Sequence, residues 1–341
     1  MRPSAASRRL LAILLVLLGA AVLHALCTGS VAIGPGEVLS RCARALWRGP
    51  SGDFVDRILL GSRLPRVLVA AAVGATLALA GLAAQTLFRN PLASPYVAGI
   101  SSGSALGAVA GMLLIGRFPA VPYAALPAFS IATGLAVTGI VFALGRRGDS
   151  FGHSLLLAGI AIGALCSSLT SGSLYLAGER LQTLVFWLMG GFWRAGRRDV
   201  LLMLPVAAAT LMTLLALAPA MNVALLGERS AHDLGVRVRR LQAVLLATIA
   251  VSTAVAVSIA GVIGFVGLVV PHVLRRAVGG DHRRLVPLAA VGGALLLVAA
   301  DTLARTVAAP TEVPVGILTS LVGAPVFLWI LQRRAAGRSG A

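Results

Sequence analysis

Several residue groups in this 341-residue chain have types and spacings that could do chemistry. Gly99-Ile100-Ser101-Ser102-Gly103 fits the Gly-x-Ser-x-Gly pattern of a hydrolase nucleophile, with His272 as a candidate base. That pattern acts at a strand–turn–helix junction, whereas here it opens an apolar stretch rich in small residues. The five histidines, His24, His153, His232, His272 and His282, form no two-ligand helical pair. Cys27, Cys42 and Cys166 lie far apart, with neither metal spacing nor an evident disulfide framework. No metal site is expected. Asp301 lies deep in the apolar segment LLLVAADTLARTV. A carboxylate at that depth is costly and marks a functional or structural site. Arg305, one helical turn on, is its natural partner, either as a buried pair or with Arg305 left to dock something outside. In FVGLVVPHVLRRAVGGDH, 265–282, Pro271 is expected to end regular helix and Asp281 to cap the next one. His272 is expected to be structural or partner-facing.

These residues must be carried by membrane helices. Hydrophobic residues make up 58% of the chain and charged ones 12%, against roughly 25% charged in soluble domains. Mean hydropathy is +0.94. The formal charge of +18 comes from 29 basic residues, every one an arginine. They cluster at the ends of apolar runs, which is the pattern of membrane topology rather than of nucleic-acid binding. Without lysine there is no phosphate-binding-loop lysine and no Schiff base, so the chain cannot be a standard P-loop ATPase; it is expected not to be an enzyme and to bind no cofactor.

Spans of about 20 apolar residues fall near 10–27, 66–87, 95–115, 122–144, 154–176, 199–217, 241–260, 262–274, 284–307 and 314–331. This predicts an all-α integral membrane protein of about ten helices, a single transmembrane domain over 1–341 with a cytoplasmic loop at about 218–240. The eighth span is too short to cross unaided and should be broken or sheltered. The basic N-terminus and long apolar run to Leu26 read as an uncleaved first span. An even count puts both termini on one side, and the arginine distribution makes that side cytoplasmic. LALAGLAAQTLFRNPL, 77–92, loosely echoes VSIAGVIGFVGLVVPHVL, 257–274, in the sense of an inverted repeat.

Three connecting stretches carry further signals. LLGERSAHDLGVRVRRL, 225–241, predicts a short helix between Gly227 and Gly235, suited to docking a cytoplasmic partner. FRNPLASPYVAGISSGS, 88–104, has helix-breaking Asn90-Pro91 and Ser94-Pro95, as a gate or a simple turn. GSRLPR, 61–66, sets Arg63 and Arg66 on the outer side, where with Arg305 they would present positive charge outward, to solvent or to an acidic partner.

These stretches resemble the permease subunit of type II ABC importers, the FecCD-like group that takes up iron–siderophores, haem and cobalamin. The resemblance rests on 63–108, on LLLAGIAIGALCSSL (155–169), FWLMGGFW (186–193), LLGERSAHDLGV (225–236), on 261–305 and on EVPVGILTSLVGAPVFLWIL (312–331). It implies a homodimer with the pathway at its interface, two cytoplasmic ATPase subunits that use ATP and Mg, and a periplasmic binding protein. By motif, Gly227, Glu228, Ala231, Leu234 and Gly235 match the helix that couples to the ATPase. Arg63, Arg66 and Arg305 match the arginines that meet acids of the binding protein. Asn90 and Leu92 match one cytoplasmic gate. Gly152, His153 and Ser154 match the second, where this sequence departs from a Thr-Ser-like pattern. Span five should line the pathway.

The expected role is import of an iron chelate, haem or ferric siderophore, across a bacterial inner membrane by alternating access, with energy supplied by the partner ATPase. Cobalamin is the alternative cargo. An ion-coupled secondary transporter is disfavoured by the scarcity of intramembrane acids, and an intramembrane hydrolase by the context of Ser101.

Overall fold

The computed structural model describes residues 5–118, 122, 125–146 and 151–338, with the side chains of 97–98, 151–153, 330–331 and 333–338 left aside. It is all-helical, with no strand among the described residues. Eight helices are long and apolar enough to cross a membrane. They are α1 (Ala5–Cys27), α4 (Leu64–Leu87) with the helical turns before it, α5 (Ile100–Arg117), α6 (Leu126–Gly145), α7 (Phe151–Tyr175), α9 (Arg197–Ala224), α11 (Val238–Ala260) and α13 (His282–Thr306). With α12 (Val266–Val278) and α14 (Val315–Arg338) they make the ten segments expected from hydropathy. Four shorter helices link them: α2 (Pro35–Arg48), α3 (Phe54–Ile58), α8 (Leu181–Leu188) and α10 (Glu228–Asp233).

Helix α4 is the central post. Its span is 83% buried, against 11% for α1 and 17% for α9, which face outward. It packs on α13, α9, α11 and α12. Lipid tails are as apolar as leucine, so the bilayer supplies no hydrophobic drive to bring helices together; close van der Waals packing must do it. Small residues on α4 meet that need. Gly74 faces Gly293 of α13 so closely that a methyl on either would strike the other's carbonyl, and a methyl on Gly81 would strike the carbonyl of Gly267 in α12. The last contact joins the two stretches whose sequences echo each other.

Helix α12 corrects one expectation. Pro271 does not end the helix; it sits inside Val266–Val278. A proline there removes the N–H that would bond to the carbonyl four residues back, which is that of Gly267. Gln85 of α4 takes over, its Nε2 donating to Gly267 O at 3.3 Å, while its Oε1 accepts from Arg275 Nη2 at 2.8 Å. The unmade backbone bond is replaced from a neighbouring helix, and the helix continues. With thirteen residues α12 is about 20 Å long, too short for a bilayer. Its approach is the non-helical run 261–265, buried at Ile263 and held by the Tyr96 hydroxyl on the Ile263 carbonyl. This is irregular backbone sheltered by protein. His272 is buried within the bundle rather than partner-facing.

A second correction concerns the cytoplasmic loop. Helix α9 runs through Pro219 to Ala224, anchored by the fully buried Ala218 and Met221, so the loop begins at 225 rather than 218.

Replacing Gly81 by valine should separate α4 from α12 and cost about 1–3 kcal/mol or more by overpacking. A thermal unfolding midpoint in detergent equal to that of the parent chain would show that this contact is slack.

Candidate functional site

Polar chemistry collects at the two ends of the bundle. At the end expected to face outward, Asp301 is 1% exposed and its carboxylate is bonded chiefly by Arg66 of α4. Arg66 Nε donates at 3.1 and 3.0 Å and Nη2 at 2.8 Å. Arg66 also grips Glu312, with Nη1 at 2.9 Å and Nη2 at 2.8 Å. The expected pair with Arg305 is present as an ion pair at 3.3 Å without hydrogen-bond alignment. Arg305 instead turns its Nη groups to the carbonyls of Ala25 and Thr28, at 3.2 and 3.4 Å.

Arg63 does the same. Its Nη1 donates to Leu26 O at 2.8 Å and reaches Cys27 O at 3.4 Å, and its Nη2 donates to Val31 O. It is 6% exposed, and Gly29 leaves room for its guanidinium. The last carbonyls of a helix lack intrahelical donors and carry the negative end of its dipole. Two arginines cap α1 in this way. The expectation that Arg63 presents its charge outward is therefore corrected: orphan carbonyls on α1 hold it inside.

Near this cluster, α2 is tied to the first turn of α3 by one arginine. Arg41 bonds Glu37, Asp53 and Asp56 at 2.8, 2.7 and 2.8 Å. Sequence reading missed this hub. Its signals were the Asp53 cap, whose carboxylate accepts from Asp56 N at 2.7 Å, and the amphipathic pattern of α2. The Arg41 hydrogen bond, helped by the Asp56 amide, holds the Asp53 carboxyl below the usual carboxylate range.

At the opposite end of the bundle, α10 lies between Gly227 and Gly235 as expected. Both adopt positive φ, 109° and 79°, which suits glycine. Ala231 is fully buried against the bundle, while Leu226 and Leu234 are 65% and 63% exposed. The helix is thus pinned from below by Ala231, exposes Glu228, Arg229, Ser230, His232 and Asp233, and is flanked by two exposed leucines. Glu228 Oε1 accepts from Arg89 Nη2 at 2.8 Å and from Gln242 Nε2 at 3.1 Å. Arg89 precedes Asn90, whose Oδ1 accepts from Leu92 N at 3.0 Å while its carbonyl accepts from Ala93 N at 3.0 Å. Asn90 and Leu92 are therefore the two ends of one side-chain-closed turn, wired through Arg89 to α10. That link had no sequence signal.

Beneath lies a buried chain. His282, fully buried, contacts Asn222 Oδ1 through Nδ1 at 2.8 Å and Thr86 Oγ1 through Nε2 at 2.9 Å. Asp281 accepts from Arg283 N at 3.0 Å, as the predicted cap, and from Asn222 Nδ2 at 2.7 Å. Burial works against ionisation of Asp281, but the Asn222 and backbone donors outweigh it and hold its carboxyl low. The ends of α4, α9 and α13 are joined there. Gly152, His153 and Ser154 fall in the first turn of α7. Ser154 is half-buried, and the burial of Gly152 and the side chain of His153 lie outside what is described. Ser101 is buried at the start of α5 with no strand before it, so the hydrolase geometry is absent. Among the described residues no group of His, Cys, Asp or Glu could hold a metal ion.

Comparison with known proteins fits this architecture. The model of the FecCD transport family matches residues 14–333. The chain is similar to the hemin transport system permease protein HmuU of Yersinia pestis, 44% identical over 98% of each chain. It is 41% identical to the vitamin B12 import system permease protein BtuC of Escherichia coli O139:H28, over 97% of this chain and 96% of the relative. A solved structure described as an inward-facing conformation of a metal-chelate type ABC transporter superposes with a TM-score of 0.83 at 31% identity, covering 96% of this chain and 99% of that one.

Asp301→Asn should leave Arg66 and Arg305 with Glu312 alone and destabilise the outer end by about 3–5 kcal/mol, the usual cost of breaking a buried pair. Detergent unfolding measures it; an unchanged midpoint would show the cluster to be solvated. The lowered pKa of Asp53 adds stability above its unfolded value near 3.9 that is lost as pH falls through the folded value. Protection factors of the 51–56 amides should hold from pH 7 to about 4 and drop below it; a decline beginning near pH 6 would contradict the assignment.

Proposed function

This chain belongs to the FecCD transport family as an ABC importer permease, and we propose that its cargo is an iron chelate, a haem or a ferric siderophore. The observation that carries this is the full-length similarity to a hemin permease, at 44% identity over 98% of both chains. Full-length similarity to vitamin B12 permeases makes a cobalamin the second reading.

The chain carries no ATP-hydrolysing motif of its own, so we place energy supply in two cytoplasmic ATPase subunits that use ATP and Mg. Gly227, Glu228, Ala231, Leu234 and Gly235 form the docking element. Its support is the pinned helix with Leu226 and Leu234 exposed above it. ATP-driven approach of the ATPases would move α10, and the Arg89–Glu228 link would carry that motion to the Asn90–Leu92 turn, one of two cytoplasmic gates. Gly152, His153 and Ser154 are proposed as the other. A shift of state requires different contacts in the two states, and a single exposed ion pair of this kind is weak enough to exchange.

A second copy of the chain would close the pathway. Helix α7 exposes Ser167, Ser168 and Ser171 in the last third of an apolar span. Hydroxyls at that depth suit a water-filled pathway wall better than lipid. A periplasmic binding protein would dock at the outer end through Arg66 and Arg305, its acids competing with Asp301 and Glu312. Arg63 acts there by holding α1 in place. The proposed setting is the bacterial inner membrane with both termini cytoplasmic.

The test is ATPase activity of the permease–ATPase complex in liposomes with its binding protein loaded with haem, ferric siderophores or cobalamin. One loaded form should stimulate hydrolysis, and exchanging the acids on the docking face of the binding protein for lysine should abolish stimulation while the basal rate of the permease–ATPase complex remains. Stimulation by cobalamin alone would select the second reading; failure to form any complex with an ATPase would end the importer reading.

A further inference from the structure

At the cytoplasmic boundary, between the end of α6, helix α10 and the start of α11, lies a cavity of about 1070 Å³. Arg146, Arg229, Arg237, Arg239 and Arg240 line it, with Glu228 as its one acid among the described residues. That acid is already held by Arg89 and Gln242. No ion pair among the described residues involves any of the five arginines. Three of them surround the start of α11, whose first turn carries no acidic residue. Cations there oppose the helix dipole, and the first N–H groups of a helix favour an anion. The site gathers positive charge where the local backbone also calls for negative charge.

The cavity does not end in solvent on its membrane side. Phe142 and Ala243 line it, and each begins an exposed strip that climbs into the membrane. On α11 the strip is Ala243, Ala247 and Val251, one turn apart; on α6 it continues from Phe142 to Gly139 and Leu135. The two helices pack antiparallel, Gly134 against Ala254 at their middle. Val251 and Leu135 are 44% and 38% exposed, and nothing lies within reach of a side chain added at Gly139. A shallow apolar groove therefore opens beneath a basic cavity.

We propose that this is a binding site for an anionic phospholipid of the cytoplasmic leaflet, with its phosphate among Arg146, Arg239, Arg240 and the α11 N-terminus and an acyl chain along Gly139, Ala243 and Ala247. Basic cavities between membrane helices at the cytoplasmic side suit such headgroups. A soluble anion would use the arginines and leave the groove unused, as would an acidic surface of a partner protein. The site borders α10, so a lipid here would buttress the element through which the chain is proposed to meet its ATPase. Binding itself needs neither the cargo nor the partner assignment, and is measured on this chain alone.

The experiment is native mass spectrometry of the delipidated full-length chain, titrated with phosphatidylglycerol and with phosphatidylcholine of the same acyl chains. Phosphatidylglycerol should bind about tenfold more tightly or better. Arg146→Gln with Arg239→Gln and Arg240→Gln should erase that preference, and Arg283→Gln with Arg284→Gln, on another cytoplasmic helix end, should keep it. Ala247→Trp should weaken phosphatidylglycerol by filling the groove, and glycerophosphoglycerol, the headgroup without tails, should fail to displace the lipid from the parent chain. Equal binding of the two lipids, or a preference that survives the triple substitution, overturns the proposal. Displacement by the tail-free headgroup also overturns it, by assigning the arginines to a soluble anion.

Discussion

Backbone-to-backbone contact between α4 and its neighbours is the constraint on which the rest of the structure depends. At Gly74–Gly293 and Gly81–Gly267 the helices approach until no side chain fits between them. Only that approach lets Gln85 reach the Gly267 carbonyl freed by Pro271, and only that bond lets α12 continue past its proline. Arg66 on the same helix reaches Asp301 and Glu312, and Thr86 at its far end reaches His282. One buried helix thus sets the geometry of both polar ends.

The two ends solve different problems. At the Asp301 end, buried charge is made tolerable by mutual neutralisation: Arg66 serves two carboxylates, and Arg63 and Arg305 spend their donors on carbonyls at and just past the end of α1. A lone Asp301 in that position would be costly, and each arginine there holds a fixed place because several acceptors specify it. At the opposite end, the contacts divide by burial. The His282–Asn222–Thr86 chain is enclosed and ties three helix ends rigidly. The Arg89–Glu228 pair is roughly half exposed and contributes little to stability. A rigid base under a weakly latched surface element is a suitable arrangement for a part that must move when a partner does.

That division bears on the proposed mechanism. A docking helix transmits motion only if it is attached both to what moves it and to what must be moved. Ala231 fixes α10 to the bundle, the flanking Leu226 and Leu234 are left exposed, and Glu228 joins it to the turn that carries Asn90 and Leu92. The outer end lacks such looseness; its arginines are already committed, so any acidic partner there must compete with Asp301 and Glu312 rather than find free charge.

The sequence by itself determined the membrane character, the ten helical segments, the Gly227–Gly235 element and the Asp281 cap. Each follows from local composition or from residues within one turn of each other, and such signals do not depend on distant partners. The family was legible for the same reason, as contiguous motifs along the chain. Tertiary structure alone decided the long-range polar choices. Asp301 takes Arg66, 235 positions away, as its main partner rather than Arg305 at four. Arg63 is turned inward by carbonyls 32 to 37 positions away, and Pro271 is accommodated by a glutamine on another helix. In each case the outcome depends on which orphaned donor or acceptor lies within about 3 Å after packing, and spacing along the chain does not contain that distance.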